Sequence, residues 1–309
     1  MNSPSIIIST KRPLVIYHSN CADGFGAAWC FQDHADNYEF HAGIYNKEPP
    51  DCTGRTVYLV DFSYKKDVVK AICAVASYVY FLDHHVTAIN DLLPLSDPKS
   101  EDWQKNFYAV TSLEKSGAMI AWDFLHNGMG YDFEVKKNSP LYYDPPLLLD
   151  HIQDRDLWKF KLPMTRTVSA GLFSFEYSFD QWNILMLGGA AELVKLSAAG
   201  AAIERKHWKD VKSLIEMNKR FMSIGIATVP VVNCPGFMSS DVAGTMAAEY
   251  KDGTVFAATY SDTDEERIFS LRSAPNGRDV SAIAATYGGG GHKNAAGFKV
   301  PRTHLLATK

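Results

Sequence analysis

Three short apolar runs constrain this chain most, because each stops at residues able to hold a metal ion or a phosphate. Residues 14–17 (LVIY) lead into His18-Ser-Asn-Cys-Ala-Asp23-Gly24, residues 56–60 (TVYLV) into Asp61, and residues 78–82 (YVYFL) into Asp83-His84-His85. Each run has strand length and is rich in β-branched and aromatic residues. The segments between them, 22–35 and 65–76, carry helical patterning, with Phe25, Ala28 and Trp29 on the first. Strands alternating with helices predict an α/β fold built on a parallel sheet covered on both faces. Ligands of such sheets gather beyond the carboxyl ends of the strands, near the switch point. The three loops are therefore expected to place His18, Asp23, Asp61, Asp83, His84 and His85 along one edge. A lone aspartate after a strand ordinarily caps a turn or a helix; three ligand-bearing strand ends together call for another explanation.

The rest of the chain implies a second domain. At 309 residues it exceeds one ordinary core. Residues 116–127 and 145–158 read as helices. Residues 190–220, rich in Ala and Lys and free of Pro, read as one long helix of roughly 45 Å. From residue 224 the pattern resets, with strands at 226–232, 255–260, 268–271 and 296–300 and helices at 241–250 and 279–287. The expected organisation is an N-terminal parallel-sheet domain over 1–188, a helical connector over 189–223, and a smaller C-terminal α/β domain over 224–309.

Composition narrows the partners. Hydrophobic residues make up 46% and charged residues 21%, the balance of a globular protein. A net charge of −4 and a pI near 6.2 argue against a broad basic surface for long duplex nucleic acid. A small anion held by a few local cations or metals remains compatible. The five cysteines, Cys21, Cys30, Cys52, Cys73 and Cys234, form no C-x-x-C pair, so neither a disulfide framework nor a structural zinc site is expected. A reducing cytoplasm fits that usage. Residues 1–13 do not read as a signal peptide, and no apolar run reaches the roughly 18 residues of a membrane span.

Aspartate and neutral imidazole are common ligands of manganese, zinc and similar ions. Several of them at adjacent strand ends can hold two ions roughly 4 Å apart, with a carboxylate such as Asp61 bridging. A second constellation lies at 288–298, GGGGHKNAAGF. Four glycines are by themselves a flexible turn. Followed directly by His292, Lys293 and Asn294, they let backbone N–H groups at Gly290 and Gly291 approach an anion, with His292 and Asn294 as side-chain donors. Arg272, after the strand at 268–271, adds a charge-assisted contact.

The residues LDHH at 82–85, HSNCADG at 18–24, Asp61 after its strand and GGGGHKNAAGF at 288–298 resemble the DHH phosphoesterase superfamily. The last motif is similar to the DHH-associated C-terminal domain of its nanoRNase, RecJ-like and cyclic-dinucleotide phosphodiesterase members. The resemblance spans about residues 14–300. It implies that His18, Asp23, Asp61, His84 and a later aspartate ligate manganese, that His85 touches the scissile phosphate, and that Asp83 orients the pair. In HIQDRDLW the later aspartate is placed at Asp154, with Asp150 as the fallback. Arg272, Gly290, Gly291, His292 and Asn294 are implied to bind substrate. The first motif departs from the pattern: many members carry two aspartates there, and Cys21 stands in the earlier slot, as a soft ligand, as a bystander or as a sign that one ion binds weakly.

The implied activity is that of a Mn²⁺-dependent phosphodiesterase with two ions, Mg²⁺, Co²⁺ or Zn²⁺ being the other candidates. Its implied substrates are short oligonucleotides or small linear or cyclic dinucleotides, in the cytoplasm, with no membrane partner and with self-association left open. The alternatives are a phosphomonoesterase or pyrophosphatase on the same scaffold, or a non-catalytic nucleotide sensor.

Overall fold

A computed structural model describes residues 11–32, 37–129, 141–250 and 255–308. The first sheet takes five strands, β1 (Leu14–His18), β2 (Glu39–Gly43), β3 (Thr56–Val60), β4 (Tyr78–Asp83) and β5 (Phe107–Thr111). Their order is β2-β1-β3-β4-β5, and every neighbouring pair is parallel. The helices that follow these strands are α1 (Ala22–Cys30), α2 (Lys66–Val75), α3 (Val86–Leu92) and α4 (Gly117–His126). They are followed in turn by α5 (Leu147–Asp156), α6 (Thr165–Leu172), α7 (Phe179–Leu187) and α8 (Gly189–Asn218). The end of the expected first helix, 33–35, lies outside the described residues.

The sheet is buried on both faces, as its near-continuous apolar strands require. Leu14, Ile16, Leu59 and Phe81 pack with Val69 and Ile72 of α2 and Leu92 of α3. Val15, Val60 and Leu82 look the other way, onto Phe25, Ile120, Leu149 and Ile152 of α1, α4 and α5. β2 (EFHAG) and β5 (FYAVT) were not expected from the sequence. Both lie at the edges of the sheet, where one side has no strand to pair with, and for β2 an apolar run is not required.

The register sets up the candidate site. Tyr17 pairs with Val60, and Val60 with Leu82. The next residue of each strand, His18, Asp61 and Asp83, therefore falls on one row at the carboxyl edge. The strand order reverses between β1 and β3, so this row lies at the switch point.

The second sheet takes β6 (Arg220–Ile224), β7 (Ala227–Asn233), β8 (Ala257–Asp262), β9 (Glu266–Arg272), β10 (Gly290–His292) and β11 (Ala295–Pro301), in the order β10-β11-β9-β8-β7-β6. Among the described residues of this sheet, only β7 and β8 pair in parallel. Helices α9 (Ser239–Ala248) and α10 (Val280–Ala285) accompany it.

Two compact units result. The first holds the five-stranded sheet and runs to residue 203, apart from residues 85–87; the second holds those three residues and the chain from 204 onward. The boundary falls inside α8. In its second half Val211 and Ile215 are buried with Val232, Met238 and Met246, so that half belongs to the core of the second unit. The separate connector expected over 189–223 is thus divided between the units, and its last residues form β6. Among the described residues no single helix is long and apolar enough to cross a membrane.

Candidate metal centre

Asp61 leaves β3 with φ of +52°, a left-handed conformation that L-residues seldom adopt. Its N–H still donates to the Leu82 carbonyl at 2.9 Å. The bend turns a carboxylate that is 1% exposed toward two imidazoles: Oδ1 stands 3.1 Å from His84 Nε2, and Oδ2 stands 3.6 Å from His18 Nδ1. The Cys21 thiol can present its sulfur within 4.8 Å of ligand atoms of His18 and Asp61.

Asp23, in the first turn of α1, is equally buried. Its Oδ2 accepts from Gly117 N at 2.6 Å and its Oδ1 from Ala118 N at 3.1 Å, the opening amides of α4. Helix N-termini present unsatisfied donors and a positive dipole end, which suits a carboxylate. Ser116, the cap of α4, accepts from Met119 N. Asp23 Oδ2 lies 3.7 Å from His84 Nε2, and Asp156 Oδ2 lies 3.5 Å from the same nitrogen.

Three carboxylates thus converge on one buried imidazole. Burial by itself would lower the pKa of His84. The hydrogen bond to Asp61 and the charges of Asp156, Asp61 and Asp23 outweigh burial and push it up to about 10. Burial, then the charges of Asp156 and Asp61, push the Asp23 carboxyl well above its ordinary range. The Cys21 thiol is raised by burial and then by Asp61, Asp156 and Asp23. The charges of Asp61 and Asp156 act on all three groups beside a larger effect of burial, and a bound divalent cation would offset them. Carboxylate and imidazole donors suit manganese or a similar ion, and a thiol would add affinity for softer ones.

The structure therefore brings His18, Asp23, Asp61, His84 and Cys21 together. Asp83 is buried beside them and accepts from the His84 N–H at 2.7 Å, a position suited to orienting the histidine.

Asp154, the expected later ligand, makes its contacts elsewhere. Its Oδ1 accepts from Lys161 N at 2.8 Å, and its Oδ2 accepts from Leu162 N at 3.0 Å and Thr165 Oγ1 at 2.7 Å. Burial works against its ionised form, but the Thr165, Lys161 and Leu162 hydrogen bonds prevail and hold the carboxyl below its usual range. Asp154 is a fold residue that pins the segment after α5. Asp156 stands in the cluster instead. Two residues are about 200° around a helix, so the two aspartates of Asp-Arg-Asp face opposite ways. Asp150, one turn before Asp154, shares the wrong side.

Tyr45 was also missed. Its ring lies 5.3 Å from that of His18. Nothing in the sequence marked it, because it follows an unexpected edge strand.

In the second unit the glycine run is half strand. Residues 290–292 pair with 295–297 as a hairpin. At Gly289 a side chain would run into the Gly297 carbonyl, and Gly291 has φ of +140°. These glycines are required by the close approach of the two strands. The register also aligns the expected phosphate contacts: Arg272 pairs with Ala295, and Ala295 with His292, so Arg272 and His292 share one row and one face, two strands apart. The His292 ring stacks on that of His85, which belongs to this unit, at 4.7 Å. Arg272 donates to Ser240 Oγ at 2.6 Å and to the Leu271 carbonyl at 2.8 Å. Asn294 departs from expectation as a phosphate donor. Its amide nitrogen donates to Ser273 Oγ at 2.8 Å and to the Ala274 carbonyl at 2.6 Å, so both amide hydrogens serve the turn.

No family model matches the chain. An uncharacterized protein of Acanthamoeba polyphaga mimivirus is 27% identical, over 95% of this chain and 69% of the relative. Among solved structures, the DHH domain of a member of a family of ribosomal proteins matches with a TM-score of 0.52 at 12% identity, over 93% of this chain and 82% of that one. An exopolyphosphatase-related protein from Bacteroides fragilis gives 0.46 at 15% identity, over 96% and 89% of the two chains. A pGpG-specific phosphodiesterase from Vibrio cholerae gives 0.43 at 15% identity, over 94% of each. With Asp83 of the DHH triplet closing β4, the match to the DHH domain shows that this chain has the fold of that DHH domain.

Proposed function

We propose that this chain is a metal-dependent phosphodiesterase acting on short oligonucleotides or small dinucleotides. The observation that carries the reading is Asp61, whose two buried oxygens address two different imidazoles while Asp23 and Asp156 close on one of them. One carboxylate shared between two groups of ligands is the arrangement of a paired-ion site.

The proposed ligands are His18, Asp23, Asp61, His84 and Asp156, with Cys21 adjacent. Two manganese ions held there would supply charge to the phosphoryl oxygens and lower the pKa of an attacking water. The chain's own residues do the rest. Gly117 and Ala118 amides fix the direction of the Asp23 carboxylate. Asp83 orients His84 through its backbone. Within the second unit, His85 and His292, stacked ring to ring, offer N–H donors to an anion, and Arg272 adds a guanidinium on the face of His292. In the reaction the water oxygen bonds to phosphorus, the bridging ester oxygen departs, and the proton released by the water balances the one that oxygen takes up.

The test uses bis-p-nitrophenyl phosphate and a dinucleotide with and without manganese. Turnover with manganese, its loss on chelation, and a fall of several orders of magnitude in kcat for Asp61→Asn are expected. Hydrolysis that survives both chelator and Asp61→Asn overturns the two-ion reading.

A further inference from the structure

Immediately beyond Asp156 the first unit carries a segment whose backbone and side chains are both unusual. Trp158, Phe160 and Met164 have φ of +54°, +47° and +69°. A left-handed conformation is costly for bulky side chains, and glycine or asparagine would adopt it more readily. Such strain gathers where the side chain itself is needed. The aromatic groups are not hidden: Trp158 is 44% and Phe173 49% exposed. Arg155 lies within 5.2 Å of the Trp158 ring and 5.3 Å of the Phe173 ring, and Lys159 and Lys161 are exposed beside them. Exposed rings interleaved with cations form the surface that receives stacked bases and the phosphates between them. Trp158 is two residues from Asp156, so its Cα is within about 7 Å of that candidate ligand's Cα.

We infer that Trp158 and Phe173, with Lys159 and Lys161, form a base-stacking strip for a single-stranded oligonucleotide. The strip takes a nucleotide neighbouring the one whose phosphate lies at the metal centre. This rests on the phosphodiesterase reading for its place in catalysis, but not for its binding chemistry. It makes the catalytic unit a reader of bases in its own right. A single-stranded partner fits a chain of net charge −4, because stacking is local and needs no broad basic surface.

The experiment measures binding of a fluorescein-labelled pentathymidylate in EDTA, so that no turnover occurs, beside an abasic five-mer of equal length. Trp158→Gly relieves the left-handed backbone and keeps the fold, which circular dichroism confirms. It is expected to weaken pentathymidylate binding roughly tenfold to a hundredfold. Trp158→Phe retains a ring and should stay within about threefold of wild type on the same stacking argument. Neither variant should alter binding of the abasic strand. Lys159→Gln with Lys161→Gln should flatten the salt dependence of binding by about 0.7 per lysine. Wild type that does not bind pentathymidylate, a Trp158→Gly variant that binds it like wild type, or an equal loss for the abasic strand overturns the inference. Absence of bis-p-nitrophenyl phosphate hydrolysis with manganese, alongside Trp158-dependent binding, overturns the enzymatic reading alone.

Discussion

A Cβ on Gly117 would stand 2.9 Å from the Asp61 Cγ and nearer still to its Cβ, so the residue that opens α4 must be glycine for Asp61 to occupy its place. The same Gly117 amide donates to Asp23. One helix terminus thereby fixes two candidate ligands, one by a hydrogen bond and one by leaving room. Gly117→Ala is expected to cost about 1–3 kcal/mol in stability through overpacking. It should also weaken manganese binding about tenfold, since a displaced ligand loses geometry on the scale of outer-shell substitutions. Calorimetric titration of the folded variant decides: manganese affinity equal to wild type would show that Asp61 can yield without consequence.

Asp154 and Asp156 should separate cleanly. Asp156→Asn is expected to lower manganese affinity and phosphodiester turnover with little change in Tm, because that carboxylate faces the cluster. Asp154→Asn leaves one oxygen acceptor where there were two and should cost about 1–3 kcal/mol of stability. Manganese affinity of its folded fraction should be preserved. The reverse pattern in thermal melts and titrations would return Asp154 to the ligand set.

Cys21 lies close enough to His18 and Asp61 to ligate. A thiolate favours soft ions over hard ones. Cys21→Ser is expected to lower affinity for Zn²⁺ or Cd²⁺ by about tenfold, and to change manganese affinity less, on the same preference. Equal titration curves for all ions in both proteins would mark Cys21 as a bystander.

In the second unit, Asp262 is held down to about 2, first by its hydrogen bond to Arg267, against the opposing effect of burial, and then by Arg302. Its folded pKa lies below the unfolded value of 3.8, so its stabilising contribution is full above that value. The contribution disappears as pH falls from about 4 toward 2. Asp262→Asn should therefore lower Tm near neutral pH and approach wild type as the acid limit is reached. A Tm difference that stays constant from pH 6 down to about pH 2 would refute the linkage.

Much of the candidate site was legible because parallel strands buried on both faces must be apolar along their length, and their polar ends then stand out. The runs before His18, Asp61 and Asp83 marked β1, β3 and β4 in this way. Ser116 likewise marked the start of α4, whose cap it is. The edge strand β2 escaped notice, since an edge position does not demand an apolar run.

What the sequence by itself determined was the alternation of strands and helices and the row of ligand-capable residues at the strand ends, because both follow from local periodicity. Tertiary structure alone decided which aspartate of Asp154-Arg155-Asp156 turns toward His84, since the phase of α5 is set by packing Leu148, Leu149 and Ile152 into the core. It also decided that Asn294 spends its amide hydrogens on Ser273 and Ala274, and that Gly117 makes room for Asp61. Those choices depend on neighbours distant in the chain, and no local pattern encodes them.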